Sequence, residues 1–409
     1  AGRRDHRAVR TRARRDRDGR PDAFASVARR HGPDGLPGAR RDVERRDTLA
    51  TPRLEIDLDK LEHNADALVG TLAARGISVT GVTKATLGSA EIARVWLRAG
   101  VTGLGDSRVE NLRTLRAASI TARLTLIRSP MLTQVDAVVR QADVSLNTDI
   151  GVIRQLSAAA ARAQRVHGVV LMVELGDLRE GIMPDDLEDA AYETLRLPNL
   201  SLDGIGTNLA CHNGVTPDAT NMGQLSGLAD SIEGRFGLVL RTISGGNSGN
   251  VDWALSGADT GRVNDLRLGE SLLLGREPLH RRPMDGLHTD AITLVAEVIE
   301  SGSKPSQPWG TIAQSAFGTT VRPERHGSTQ QAVLAVGEQD TDCHALVAPL
   351  GFDITGASSD HLVLDCGSSL PSVGTEVRFG LGYSALVRAM TSPFVSQVTN
   401  ARRGAVEAA

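Results

Sequence analysis

Between residues 78 and 268 one pattern recurs: a short apolar, β-branched run, a turn, then an amphipathic helical stretch. The runs fall at 78–83, 103–107, 123–127, 144–148, 169–175, 202–208, 242–244 and 266–268, and helical spacing fills 90–99, 109–118, 132–141, 150–164, 184–195 and 219–235. β-branched runs of this length suit a pleated, buried strand. Alternation with helices requires parallel strands, because each helix is the crossover between neighbours. Two α/β architectures satisfy this, a closed (β/α)8 TIM-like barrel and a doubly wound open sheet. Eight units within about 200 residues, with no G-x-G-x-x-G after the first strand, point to the barrel.

The texture changes near residue 290. Short strands at 291–299, 332–336, 353–355, 362–365 and 376–381 are separated by Gly, Ser and Pro, with no long helix between them. A separate C-terminal, mainly antiparallel β domain is expected. The expected boundaries are 49–277 for the barrel and 278–409 for the β domain, with 277–286 as linker. A first strand at 53–58, ahead of a helical stretch at 59–72, is expected to pack with the β domain.

Charge is uneven. Residues 1–47 hold fifteen arginines against eight acids, which leaves 31 basic and 41 acidic residues for the remainder. An acidic body argues against nucleic-acid binding. Residues 1–48 lack apolar periodicity and are read as a disordered extension or a mis-assigned start, since the first methionine is Met131. Their acids argue against a transit peptide. There is no apolar run of membrane-spanning length. Cys211, Cys343 and Cys366 form no CxxC pair, so a reducing, cytoplasmic setting is expected.

Lysine is scarce. Of 46 basic residues only Lys60, Lys84 and Lys304 are lysines, and only Lys84 ends a buried strand. A guanidinium cannot form an imine with a carbonyl, whereas an amine can. Lys84 is therefore the candidate nucleophile, the plain alternative being a strand-end lysine reaching to water. A barrel places reactive groups just after its strands. There the sequence has Gly105-Asp106-Ser107-Arg108, Asn147, the 174–181 stretch with Arg179 and Glu180, and Asn208 followed by Cys211 and His212. After the last two strands come Ser244-Gly245-Gly246-Asn247-Ser248 and Arg267-Leu268-Gly269-Glu270. Glycine-rich turns in this register suit a phosphate, whose oxygens accept from backbone N–H groups. A phosphate cup facing an amine suggests pyridoxal 5'-phosphate; a sugar-phosphate aldolase using the same lysine needs no second β domain.

These stretches carry a resemblance. With V-T-K-A-T around Lys84, G-D-S-R-V-E-N at 105–111, M-V-E-L-G-D-L-R-E-G-I at 172–182 and G-I-G-T-N-L-A-C at 204–211, the chain resembles the alanine racemase-like fold type III enzymes. S-G-G-N-S at 244–248, R-L-G-E-S-L-L-L-G-R-E at 267–277, G-A-S-S-D-H-L at 356–362 and R-A-M-T-S-P at 388–393 extend the likeness, which is nearest to the ornithine racemase branch. The resemblance implies a pyridoxal-phosphate-dependent amino-acid racemase, expected to act on ornithine, alanine or another basic amino acid. It implies that Lys84 holds the cofactor aldehyde and acts as one acid/base. Arg267 then meets the ring nitrogen; Asn247, Ser248, Gly269 and Glu270 lie at the phosphate positions, the last two through backbone groups, and Ser244 is a further cofactor-binding candidate. Asn208 stands where alanine racemases have a histidine, Arg179 near the phenolic oxygen and substrate carboxylate, and Tyr383 on the phosphate side. A homodimer with the site at the subunit interface is implied, with no metal.

The departures bear on mechanism. Alanine racemases take a second base from a G-Y-x-D stretch, and here it reads Gly337-Glu338-Gln339-Asp340. Racemisation needs an acid/base on each face of the substrate carbon. Glu338, Asp340, Asp360, His361 and Cys211 are the candidates, with hydrogen bonding inside the β domain as the alternative for Asp360 and His361. A cationic side chain would need a carboxylate, for which Asp340, Asp342 and Asp360 are candidates. A decarboxylase or lyase on the same fold, and a non-catalytic pyridoxal-phosphate-binding protein, are the competing functions; the β domain counts against the latter.

Overall fold

Eight parallel strands close on themselves around a half-polar interior. The computed structural model describes residues 52–318 and 327–400; the Arg-rich stretch 1–48 lies outside them. The chain enters through strand β1 (Arg53–Asp57), and Asp57 caps helix α1 (Leu58–Ala73) by accepting from the Lys60 N–H at 3.0 Å. The barrel strands follow: β2 (Ser78–Val82), β3 (Gly103–Asp106), β4 (Arg123–Leu126), β5 (Val144–Asn147), β6 (His167–Met172), β7 (Leu200–Gly206), β8 (Thr242–Asn247) and β9 (Asp265–Leu268). Pairing of β9 with β2, from Ser78↔Asp265 to Gly81↔Leu268, shuts the ring. Helices α2 (Ala90–Arg98), α3 (Val109–Ala117), α4 (Val135–Gln141), α5 (Ile150–Arg162), α6 (Leu187–Leu195) and α7 (Ala219–Phe236) surround it, with the short α8 (Val251–Leu255) and α9 (Glu270–Leu274) after β8 and β9. Their apolar faces, Trp96, Leu112, Val138, Leu156 and Leu225 among them, pack onto the outside of the strands. That burial is the main favourable term holding the ring.

Three barrel strands, β6, β7 and β8, depart from the expected spans by more than one residue at an end, β7 running from Leu200 to Gly206. β8 continues through Gly246 and Asn247, paired with Leu266 and Arg267, although glycines give no strand signal. Gly246 has φ of 144°, and a Cβ there would stand 2.2 Å from Asn250 Oδ1, so only glycine fits this bend. β6 ends at Met172, because Val173 turns to bridge Ile182 and closes the neck of a loop.

The β domain is antiparallel at its centre. β10 (Ile292–Pro305), β11 (Ser328–Leu334), β12 (Leu346–Val347), β13 (Asp353–Ala357), β14 (Leu362–Asp365) and β15 (Glu376–Leu381) form the order β12-β15-β10-β11-β14-β13. β1 pairs antiparallel with β10 and parallel with β16 (Ser396–Asn400), so a strand from before the barrel completes a sheet formed after it. Helix α10 (Tyr383–Thr391) interrupts the strands that the sequence texture suggested. Its buried Ala385, Leu386, Ala389 and Met390 have helical spacing, and its first turn lies over the Lys84 turn.

Candidate active site

Lys84 opens the turn after β2, and three hydrogen bonds to Asp106 fix that turn. Thr83 Oγ1 donates to Asp106 Oδ2 at 2.8 Å, while the Arg108 N–H and Asn111 Nδ2 donate to Asp106 Oδ1 at 2.9 and 3.1 Å. Burial pushes the Asp106 carboxyl up, against these donors. The Lys84 side chain projects into a cavity of about 740 Å³, and its Nζ lies 5.8 Å from the centre of the Tyr383 ring. Among the described residues the amine has no ion-pair partner.

The cavity gathers the ends of separate units. It is lined by Ser107, Arg128, Arg179, Asn208, Cys211, Asn247, Ser248, Arg267, Gly269 and Glu270 from the barrel, and by Tyr383 and Ser384 from α10. Arg267 is buried at 5% exposure; its Nη1 donates to Ser244 Oγ at 2.5 Å and its Nη2 to the Thr207 carbonyl at 2.7 Å. Ser244 donates in turn to Asp265 Oδ2 at 2.5 Å, and Thr80 Oγ1 to Asp265 Oδ1 at 2.7 Å. Burial pushes the Arg267 guanidinium down, and Asp265 pulls it back. Ser244 thus stands one layer below the cavity and reaches it through Arg267. Beneath this chain of contacts a second, polar cavity of about 230 Å³ opens between Thr80, Arg123, Thr125, Arg241 and Asp265.

The phosphate-type loops meet at Ser248, whose Oγ accepts from the N–H groups of Gly269 and Ser271 at 3.3 and 3.2 Å and from Ser271 Oγ at 3.1 Å. Its own hydrogen is left to donate. Asn247 Nδ2 donates to Asn208 Oδ1 at 3.1 Å and to the Leu209 carbonyl at 2.7 Å. Asn208 Nδ2 is buried without a partner. Arg179 is bonded to Glu180, and that bond raises the pKa of the guanidinium. Burial pushes the Tyr383 hydroxyl up, and Glu270 adds to the effect.

Asp177 is a residue that motif reading passed over. Its carboxylate accepts from the N–H groups of Cys211 at 3.2 Å, His212 at 2.8 Å, Asn213 at 3.1 Å and Val215 at 3.4 Å. Burial alone would raise its pKa, but these donors outweigh burial and hold it below the carboxylate range. Asp177 therefore ties the loop bearing Arg179 to the loop bearing Cys211. Arg128, after β4, and Arg281 also line the cavity; the first was signalled by its place behind a barrel strand.

Four sequence candidates, Glu338, Asp340, Asp360 and His361, are elsewhere. Glu338 accepts from Arg388 Nη1 at 3.1 Å, and His361 Nδ1 lies 2.8 Å from Asp360 Oδ1; none of the three lines this chain's cavity. Asp340 is buried in its own turn, accepting from the Gly337 N–H at 3.0 Å.

The walls carry Lys84, Arg128, Arg179, Arg267 and Arg281 against Glu180 and Glu270. Such a surplus of cations suits an anionic ligand. The orphaned Asn208 amide, the free hydrogen of Ser248 and the unpaired amine of Lys84 are donors and a nucleophile in want of partners. Their chemistry fits a phosphorylated aldehyde.

A barrel with this mouth, capped by a β domain, defines the alanine racemase class. Residues 56–277 match the family described as alanine racemase, N-terminal domain, and the chain belongs to that family of amino-acid racemase enzymes. Its relatives include an ornithine racemase of Acetoanaerobium sticklandii, 36% identical, covering 85% of this chain and 99% of the relative. A lysine racemase of Thermotoga maritima is 35% identical over 86% of this chain and 99% of its own length. The fold is shared with the alanine racemase of Streptomyces coelicolor A3(2), at a TM-score of 0.68 and 20% identity over 87% of this chain and 99% of that one.

Proposed function

We propose that this chain is a pyridoxal-phosphate-dependent racemase of amino acids with a cationic side chain, of the ornithine or lysine kind. The observation that carries this reading is the meeting, in one cation-rich cavity, of an unpaired strand-end amine with a buried guanidinium. The names of the two relatives, at about a third identity over nearly their whole lengths, support a substrate of this type. When bound, the cofactor supplies an aldehyde for the amino group and a ring that accepts electrons as the α-carbon loses its proton.

The chain's own residues do the rest. Lys84 Nζ accepts and returns the α-proton on one face, at the end of the turn that Thr83 and Asp106 hold. Arg267 presents a guanidinium that cannot give up a proton, and it would leave a ring nitrogen held against it unprotonated. Ser248, Asn247 and the backbone of Gly269 and Glu270 would hold the phosphate, Asn208 would offer its spare N–H, and Arg179 would take the substrate carboxylate. Tyr383 closes the cavity from the β domain.

The second face needs its own proton carrier. We assign it to the loops at 337–340 and 358–361 of a second copy, with His361, held through Nδ1 by Asp360, offering Nε2. The working unit is then a homodimer. The three cysteines are unpaired, in keeping with a reducing cytoplasm; no helix among the described residues is long and apolar enough to cross a membrane.

The test uses purified full-length protein incubated with pyridoxal phosphate. A visible absorption band and loss of optical rotation from L-ornithine or L-lysine are expected, both absent from Lys84→Ala. A colourless protein, or turnover unchanged without Lys84, overturns the reading.

A further inference from the structure

Of the two acids on the wall of the Lys84 cavity, Glu180 is paired with Arg179 and Glu270 is not paired at all. Glu270 is half-buried at the first position of α9, and among the described residues its side chain makes no hydrogen bond or ion pair. The other acids near the mouth are held by two or more donors: Asp106, Asp177, Asp265 and Glu277 each have their own. A desolvated carboxylate without a partner is costly, and burial pushes the Glu270 carboxyl up although Arg281 and Lys84 pull it down. Neither cation comes within ion-pair distance of it. The backbone beside Glu270 faces the phosphate-type loops through Gly269, so only its side chain is left for another purpose.

We infer that the Glu270 carboxylate is the subsite for the terminal ammonium group of a diamino-acid substrate. This rests on the racemase reading and names the feature that would give it a cationic substrate. A substrate amine entering the cavity converts an unpaired carboxylate into a charge-assisted hydrogen bond, which offsets the desolvation that the carboxylate already carries in the folded chain. A neutral side chain of equal length leaves the carboxylate unpaired and gains nothing from it. The β-domain acids Asp340, Asp342 and Asp360 do not line this cavity and are not needed for this role.

The test measures calorimetric Kd and KM of the pyridoxal-phosphate-loaded protein for L-ornithine and for L-norvaline, which has the same carbon chain without the terminal amine. Glu270→Gln should weaken ornithine relative to norvaline by roughly 10- to 100-fold, the size expected for a lost hydrogen bond to a charged group. Glu270→Asp should recover part of that preference. Cofactor affinity, followed by titration of the visible band, should move far less than the ornithine Kd. Equal losses for both amino acids, or a loss confined to cofactor affinity, overturn the inference and leave the racemase reading standing. Preference for ornithine that depends on Glu270 without racemisation has the opposite outcome: the subsite stands and the activity proposed above falls.

Discussion

Arg267 does not act alone. Its Nη1 rests on Ser244, whose hydrogen is committed to Asp265, so the serine can only accept from the arginine. Asp265 thereby fixes a guanidinium it does not touch, and is also the negative charge that supports it most. Asp265→Asn replaces a double acceptor facing Thr80 and Ser244 by a group with one acceptor and one donor. A loss of about 1–3 kcal/mol in unfolding free energy is expected from the mismatched buried pair, measured by urea denaturation. The cysteines separate on similar grounds. Burial pushes the Cys343 thiol up to about 12, with Glu338 and nearby aspartates adding to it, and Cys366 is buried too, whereas Cys211 is exposed on the cavity wall. Iodoacetamide at neutral pH should therefore label Cys211 first, and pyridoxal phosphate should slow that labelling; mass spectrometry of the digested protein reads both.

At the scale of elements, β6 begins with a histidine that cannot readily ionise. His167 is fully buried with Nε2 2.8 Å from Ser145 Oγ, and burial, helped by Arg165, lowers its pKa to about 4. The unfolded chain takes up this proton near pH 6.5 and the folded one does not until about pH 4. Stability from this site is thus complete above pH 6.5 and is lost as pH falls toward 4. Between pH 7 and 5 the loss should be about 2 kcal/mol, seen as a lower urea midpoint, and His167→Gln should shrink the difference. Elements were also what the sequence showed best. Short apolar, β-branched runs between helical stretches located every barrel strand, and the strand-end rule then brought Lys84, Asn208 and Arg267 to one mouth. Asp177 and Asp265 were not legible, because their roles depend on partners that the fold brings from more than twenty positions away. Helix α10 was legible in principle: Ala385, Leu386, Ala389 and Met390 have the spacing, but surrounding Gly- and Ser-rich strands obscured it.

For the whole molecule, the proposed second copy makes a specific demand. If Lys84 comes from one subunit and His361 from the other, Lys84→Ala and His361→Ala proteins are each inactive and restore one intact site per mixed dimer. Co-refolding them in equal amounts should return roughly a quarter of wild-type activity, as random pairing of two-fold dimers requires; no recovery places the second acid/base within one chain.

The sheet of the β domain contains β1, which is made before the barrel, against β10 and β16, which are made after it. During synthesis, then, β1 leaves the ribosome with both edges bare and waits for the entire barrel to be translated before its partners exist. Its five residues keep Arg53 and Glu55 on the strand, charges that discourage pairing with stray chains in the meantime. Final closure of the β domain is a late, long-range step, and it fastens the two ends of the fold to each other.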